Sequence, residues 1–282
     1  MRTTHAVLLR RLLPQDDPRR LAVRRGQFHH VVLGAERVVC LPRTPAAADR
    51  LPARAATLRA LAGLGLGFRT PEPLALGRGE GGEAPFLVLG RVPGEPLAAE
   101  ALDDARVAGA VAAQYARLLA GLARADAAVR TALPSASEGR WRRFAAEVRA
   151  ELFALMSEDG RLRAERELAA AEGLPHLTGA VVHGDLGPEN VLWEWEDGLP
   201  RLAGVLDWDE VSLADPAEDL AAVGAGHGGE LLGRVLVLGG SPDDGLVSRI
   251  AAVRGTFALQ QALSAHRDGD AEELADGLAG YR

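Results

Sequence analysis

The pattern of apolar residues changes character at Pro93-Gly94, and this limits the chain to folds with two differently built parts. Before that point apolar residues come in short β-rich runs. FHHVVL at 28–33 and RVVCL at 37–41 are separated by Gly34-Ala35-Glu36, which reads as a hairpin. Residues 46–62 place Leu51, Leu58 and Leu61 on one helical face, with Pro52 marking a first turn or a kink. Pro71 and Pro73 open a strand near 73–76, and FLVL at 86–89 is another. After Pro93-Gly94, Ala/Leu-rich stretches at 103–125, 141–157 and 161–172 predict amphipathic helices. Short strands are expected at 180–183, 190–194 and 202–207, then helices at 216–223, 229–238, 243–266 and 271–279. The expectation is an α+β fold. Residues 1–90 form a small, mainly antiparallel β part with one helix, and residues 91–282 a larger, mainly helical part.

The charges divide in the same way. Residues 1–90 hold 14 arginines against 7 acids, and residues 91–282 hold 18 against 32. A basic first part suits phosphates, and an acidic second part suits a divalent metal and a cationic substrate. The same imbalance argues against a nucleic acid as partner, although drift of surface charge would also produce it. All 32 basic residues are arginine, so lysine chemistry such as a P-loop anchor or a Schiff base is excluded. No apolar run approaches the roughly 18–20 residues of a bilayer span. The stretch AVLLRRLL near the start is interrupted by Arg10 and Arg11 and does not read as a signal peptide. Cys40 is the only cysteine, so no intramolecular disulfide can form. A cytoplasmic protein with no membrane partner is expected.

The segment VVHGDLGPENVLW at 181–193 carries the most chemistry. A strand delivers His183-Gly184-Asp185, a tight loop holds Gly187 and Pro188, and Asn190 opens a second strand. Asp185 and Asn190 stand five apart, as in a kinase catalytic loop, where the aspartate meets the acceptor hydroxyl and the asparagine binds metal. After another strand comes Leu206-Asp207-Trp208-Asp209-Glu210. A carboxylate at such a strand end suits Mg²⁺, which takes one or two carboxylates together with phosphate oxygens. Either segment alone could be a polar turn or an unrelated acidic loop; their order and strand context point to phosphoryl transfer. In DPAEDLA at 215–221, Asp215 reads as a helix N-cap with Pro216 at the first helical position. Asp219 and His183 read as braces of the loop, because Asp185 already supplies a base.

HGDLGPEN, DWDE and DPAEDLA resemble the aminoglycoside phosphotransferase and choline-kinase-like family of small-molecule kinases. GQFHHVV at 26–32, the segments 37–63 and 66–74, RGTFALQQAL at 254–263 and the stretch 268–282 resemble the branch of that family that acts on viomycin and capreomycin. The resemblance implies a bilobal protein-kinase-like fold, with a nucleotide-binding N-lobe at 1–90 and a catalytic, acceptor-binding C-lobe at 91–282. It also implies ATP or GTP with Mg²⁺, and as partner a cationic cyclic peptide antibiotic whose hydroxyl is phosphorylated, giving resistance.

Carried over residue by residue, it makes Asp185 the base and Asn190 and Asp207 the Mg²⁺ ligands. Leu89, Gly90 and Val92 become the hinge facing adenine. The hairpin around Gln27, Phe28, His29 and His30 would cover the phosphates through backbone N–H groups. Two positions depart from the kinase pattern. Cys40 stands where the β-strand cation belongs, and Ala53-Arg54-Ala55-Ala56 offers no helical glutamate to pair with it. Arg54 or Arg43 is then the cation expected to reach the phosphates, Arg being suited to them by its bidentate fork. Glu189, Asp209 and Glu210 are the first candidates for acceptor contacts. Asp268, Asp270, Glu272 and Glu273 are the second, and read equally well as a solvated acidic face. An aminoglycoside or other small-alcohol kinase, and a non-catalytic drug-binding pseudokinase, are the alternatives.

Overall fold

The computed structural model describes residues 5–17, 19–26, 28–79, 83–240 and 242–282. In chain order the first elements are α1 (Ala6–Leu12), β1 (Ala22–Arg25), β2 (His29–Leu33), β3 (Arg37–Pro42), α2 (Pro45–Ala62), β4 (Pro73–Gly77), β5 (Phe86–Gly90) and β6 (Glu95–Pro96). There follow α3 (Ala105–Ala123), α4 (Ala127–Ala132), α5 (Arg140–Glu151), α6 (Glu158–Glu172), β7 (Ala180–Val182), β8 (Val191–Glu196) and β9 (Leu199–Val205). The chain ends with β10 (Ser212–Ala214), α7 (Ala217–Leu238), α8 (Asp244–Gly255), α9 (Phe257–Asp268) and α10 (Ala271–Gly277).

Two compact units result. One comprises Met1–Val111, Ala125–Leu133 and Pro188–Glu210, the other Ala112–Arg124, Pro134–Gly187 and Val211–Arg282. Residues 1–90 all fall in the first unit, which later segments of the chain join. The reason is hydrogen bonding: β6 pairs antiparallel with β8, Arg69 N–H donates to the Ala203 carbonyl at 2.9 Å, and Val205 N–H donates to the Arg69 carbonyl at 3.0 Å. These bonds tie the hairpin of β8 and β9 to the N-terminal residues.

The first unit is built on an antiparallel sheet of order β1-β2-β3-β5-β4. Val39 and Leu41 of β3 join Phe86 and Val88 of β5 in a core closed by Leu8, Leu9 and Leu12 of α1. Strand side chains alternate between faces, so Cys40 and Leu87, also buried, face the other way, where α2 packs on β3 and β5. Covering both faces explains why FLVL reads as an unbroken apolar run. Thr44 caps α2 by accepting the Ala47 N–H, Pro45 sits in its first turn, and Pro52 lies inside the helix rather than at its start.

In the second unit α5, α6, α9 and α10 enclose Val148, Leu152, Leu168, Leu259, Leu263 and Tyr281. Ser157 caps α6, and its N–H donates to the Tyr281 carbonyl at 3.0 Å, which holds the chain end beneath the helix. Arg149 of α5 bonds both Glu165 and Glu172 of α6. The helices expected at 216–223 and 229–238 lie within Ala217–Leu238, labelled α7, where Gly228 at φ 87° and ψ 167° leaves the helical backbone and separates two helical segments as expected. The helix expected over 243–266 is two, α8 and α9, which meet at Thr256.

Candidate active site

In the second unit, β7 pairs antiparallel with β10 and ends at the His183-Gly184-Asp185 loop. The Asp219 carboxylate, 1% exposed at the start of α7, accepts the His183 N–H at 2.9 Å and the Gly184 N–H at 3.0 Å. His183 is fully buried, and its Nδ1 accepts the Asp185 N–H at 3.2 Å. Both residues therefore brace the loop backbone, as their sequence context indicates, and the Asp185 side chain is exposed. The Asp219 carboxyl lies above its ordinary pKa because burial outweighs the His183 and Gly184 contacts that favour its charge.

Asp215 holds the same end of α7. Its Oδ1 accepts the Ala217 N–H, its own N–H donates to Glu218, and its Oδ2 accepts from Arg249 at 2.7 Å. The cap thus operates one residue earlier than the helix boundary, with Pro216 at the formal N-cap position.

In the first unit, Asn190 closes a short 3-10 turn before β8 and is 9% exposed. Leu206 N–H donates to its carbonyl at 2.7 Å, continuing the β8–β9 ladder by one step. Asp207 follows at once, in the left-handed region with φ 54°. Among the described residues no hydrogen bond or ion pair engages its carboxylate. A carboxamide oxygen and a free carboxylate at the ends of paired strands form a hard-oxygen donor set, which fits Mg²⁺. Among the described residues no group of three or more His, Cys, Asp or Glu side chains is arranged to hold a metal ion by itself.

Arg54 projects from α2 toward the turn after Asp207. Its Nε stands 2.6 Å from Asp209 Oδ1, a charge contact not aligned as a hydrogen bond, and its charge acts electrostatically on the buried Cys40 thiol. Burial holds the Cys40 pKa above its ordinary value, so it remains a thiol. Arg54 Nη1 lies 3.4 Å from His29 Nδ1. Burial first, then the positive charge of Arg54, lowers the His29 pKa to about 4 against the opposing pull of Asp207. The absent strand cation and helical glutamate thus have a counterpart: a cation on the helix, and an acid two residues beyond Asp207. Sequence reasoning singled out Arg54 but not its pairing with Asp209, because no local pattern links residues so far apart.

The other candidates are placed as follows. Arg43 donates to the Gly26 carbonyl at 2.9 Å, which fixes it to the β1–β2 turn. Phe28 lies in that turn with the Arg50 guanidinium 5.5 Å from its ring centre; Gln27 lies outside the described residues. His30 points to the sheet face opposite His29. Leu89 and Val92 have buried side chains, and the Gly90 N–H donates to the Glu72 carbonyl at 2.8 Å. Gly90 could therefore offer adenine only its carbonyl. Glu189, Asp209 and Glu210 are all exposed, and the Asp209 charge is paired with Arg54. Asp270 caps α10 by accepting the Glu272 and Glu273 N–H groups. Those two glutamates lie in the first turn, where the helix dipole favours them, and Asp268 ends α9.

A small antiparallel-sheet unit with a helix-borne cation, together with a braced His-Gly-Asp loop on a helical unit, defines the class of kinase-like phosphotransferases. The chain belongs to the phosphotransferase enzyme family, which it matches over residues 19–245. It is 65% identical to the viomycin phosphotransferase of Streptomyces vinaceus over 282 residues, 99% of this chain and 98% of that protein. It shares its fold with a solved GDP complex of an aminoglycoside 2'-phosphotransferase, at TM-score 0.81 and 18% identity, covering 99% of this chain and 96% of that one. A macrolide 2'-phosphotransferase from Brachybacterium faecium is similar at TM-score 0.70 and 25% identity, covering 100% and 98%.

Proposed function

We propose that this enzyme transfers the γ-phosphoryl group of ATP to a hydroxyl of a cationic cyclic peptide antibiotic of the viomycin and capreomycin type, and so confers resistance. The observation that carries the reading is the 65% identity, over essentially the whole of both chains, to a viomycin phosphotransferase. The acidic balance of residues 91–282 supports a polycationic acceptor independently.

In this reading Asp185 orients the acceptor hydroxyl and takes its proton as the oxygen bonds to the γ-phosphorus and the bond to the β,γ-bridging oxygen breaks. Asn190 and Asp207 would hold Mg²⁺, which would supply charge neutralisation at the phosphates. Asp219 fixes the backbone that presents Asp185. The first 90 residues serve the nucleotide: the β1–β2 turn with Phe28, His29 and His30 lies over the phosphates, and the Gly90 carbonyl with Leu89 and Val92 receives the base. Arg54 is the phosphate-side cation, and Arg43 stiffens the turn. Glu189 and Glu210 contact the cationic acceptor, and Asp268, Glu272 and Glu273 add to the negative field. Positioning and electrostatics provide most of the rate, since a loose phosphoryl transition state needs little covalent help.

The test is incubation with ATP or GTP, Mg²⁺ and one of viomycin, capreomycin, kanamycin or choline, followed by product mass. A gain of one phosphate on viomycin or capreomycin, abolished by Asp185→Ala, is expected. Turnover of kanamycin or choline alone would reassign the acceptor. Tight drug binding without any phosphate gain would make the protein a sequestering one.

A further inference from the structure

The His29 side chain is a buried polar group whose hydrogen bonding is only half accounted for. It sits on β2 and is 7% exposed. Its Nδ1 faces Arg54 Nη1 at 3.4 Å. A guanidinium carries only donors, so Nδ1 must be the accepting nitrogen and the ring proton resides on Nε2. Among the described residues that Nε2 is buried without any hydrogen-bond partner. A buried donor with nothing to bond is costly and calls for an acceptor from outside the chain. The surroundings define that acceptor. Arg54 adjoins the ring, Asp209 holds Arg54, and Asp207 lies close enough to act on His29 electrostatically. A ligand atom drawn in beside a buried guanidinium, at the strand end read as the metal site, is an anionic oxygen.

We propose that His29 is a phosphate-positioning residue: its neutral imidazole donates from Nε2 to a non-bridging phosphate oxygen of the bound nucleotide. Arg54, anchored by Asp209, supplies the positive charge beside it that Cys40 cannot. A neutral donor suits this position, because a second cation beside Arg54 would be repelled. The inference rests on the phosphotransferase reading above and assigns a side-chain contact within it.

Calorimetric titration of the full-length protein with ATP and, separately, with adenosine tests the assignment. His29→Phe should weaken ATP binding about ten- to a hundredfold, the range for a hydrogen bond to a charged group, and leave adenosine binding unchanged. His29→Gln, whose amide N–H reaches to a similar depth, should restore most of the loss. Wild-type affinity for ATP in His29→Phe, or equal losses for ATP and adenosine, would overturn the proposal while leaving the phosphotransferase reading intact. A wild-type protein that binds no purine nucleotide overturns both. If His29→Phe does not fold, ¹⁵N spectra of the wild-type imidazole decide. The proposal requires the Nε2–H tautomer and an Nε2–H resonance that moves with ATP but not with adenosine; an Nδ1–H tautomer or an unmoved resonance sinks it.

Discussion

Asp219 illustrates how one buried side chain can carry a catalytic loop. Two backbone N–H groups lose their acceptor if it is truncated, at about 1–3 kcal/mol for each orphaned group. Asp219→Ala should therefore lower the unfolding free energy by about 2–5 kcal/mol in urea titrations, and phosphoryl transfer should fall with it. Asp219→Asn, which keeps one acceptor, should lose less. Arg54→Met should raise the nucleotide KM at least tenfold with a smaller effect on the acceptor KM, as steady-state kinetics would show; an unchanged nucleotide KM would remove Arg54 from the site. Histidines set the response to acid. Burial lowers the His227 pKa from its ordinary value, and the ring bonds the Tyr115 hydroxyl at 2.8 Å. The unfolded chain then binds a proton at about pH 6.5 that the folded chain refuses, so stability falls as pH drops below that value. His29 acts in the same sense down to about pH 4. Each contributes a slope of at most about 1.4 kcal/mol per pH unit, and His227→Gln should flatten its share in urea midpoints measured across this range.

At the scale of elements, two glycines separate two kinds of constraint. A Cβ on Gly160 would lie 1.8 Å from the Tyr281 carbonyl oxygen, so α6 can approach the chain end only without one. Gly160→Ala should cost about 3 kcal/mol or more, because backbone rather than a flexible side chain must move. Gly228 has open space around it but holds φ 87° at the kink of α7. Gly228→Ala should cost only the backbone strain, about 1–3 kcal/mol, visible as a smaller shift in thermal midpoint than at Gly160. Several elements were legible and others were not. The β2–β3 hairpin follows from alternation around Gly34, and α5, α6 and α10 lie close to where their apolar spacing puts them. α1 reads poorly because Arg10 and Arg11 interrupt it, yet they face outward while Leu8, Leu9 and Leu12 form one buried stripe. β1, β6 and β10 are two to four residues long, too short to show a period. The break at Thr256 arises from a fully buried hydroxyl that donates to the Val253 carbonyl and accepts from Gln260, which helical periodicity does not reveal.

For the whole molecule the governing quantity is charge. The net charge of −7 conceals an arginine-rich beginning and a strongly acidic remainder. Attraction of a polycation to an acidic surface is screened within about 8–10 Å at physiological salt. The acceptor KM should therefore climb several-fold as salt is raised from about 0.05 to about 0.5 M, with kcat changing less. A KM flat across that range would show that acceptor binding rests on local contacts instead. Among the described residues no helix is long and apolar enough to cross a membrane.

The sequence alone determined the α+β character, the kinase-like order of Asp185, Asn190 and Asp207, and the absence of a strand cation at Cys40. Each of these is written in local spacing or in residue identity, which a linear reading can follow. Tertiary structure decided which charges are neighbours. Only folding brings Arg54 to Asp209 and His29 and joins the β8–β9 hairpin to the N-terminal sheet unit. The physical reason is that ion pairs and interstrand hydrogen bonds depend on distance in space, and residues far apart along the chain carry no shared period from which that distance could be read.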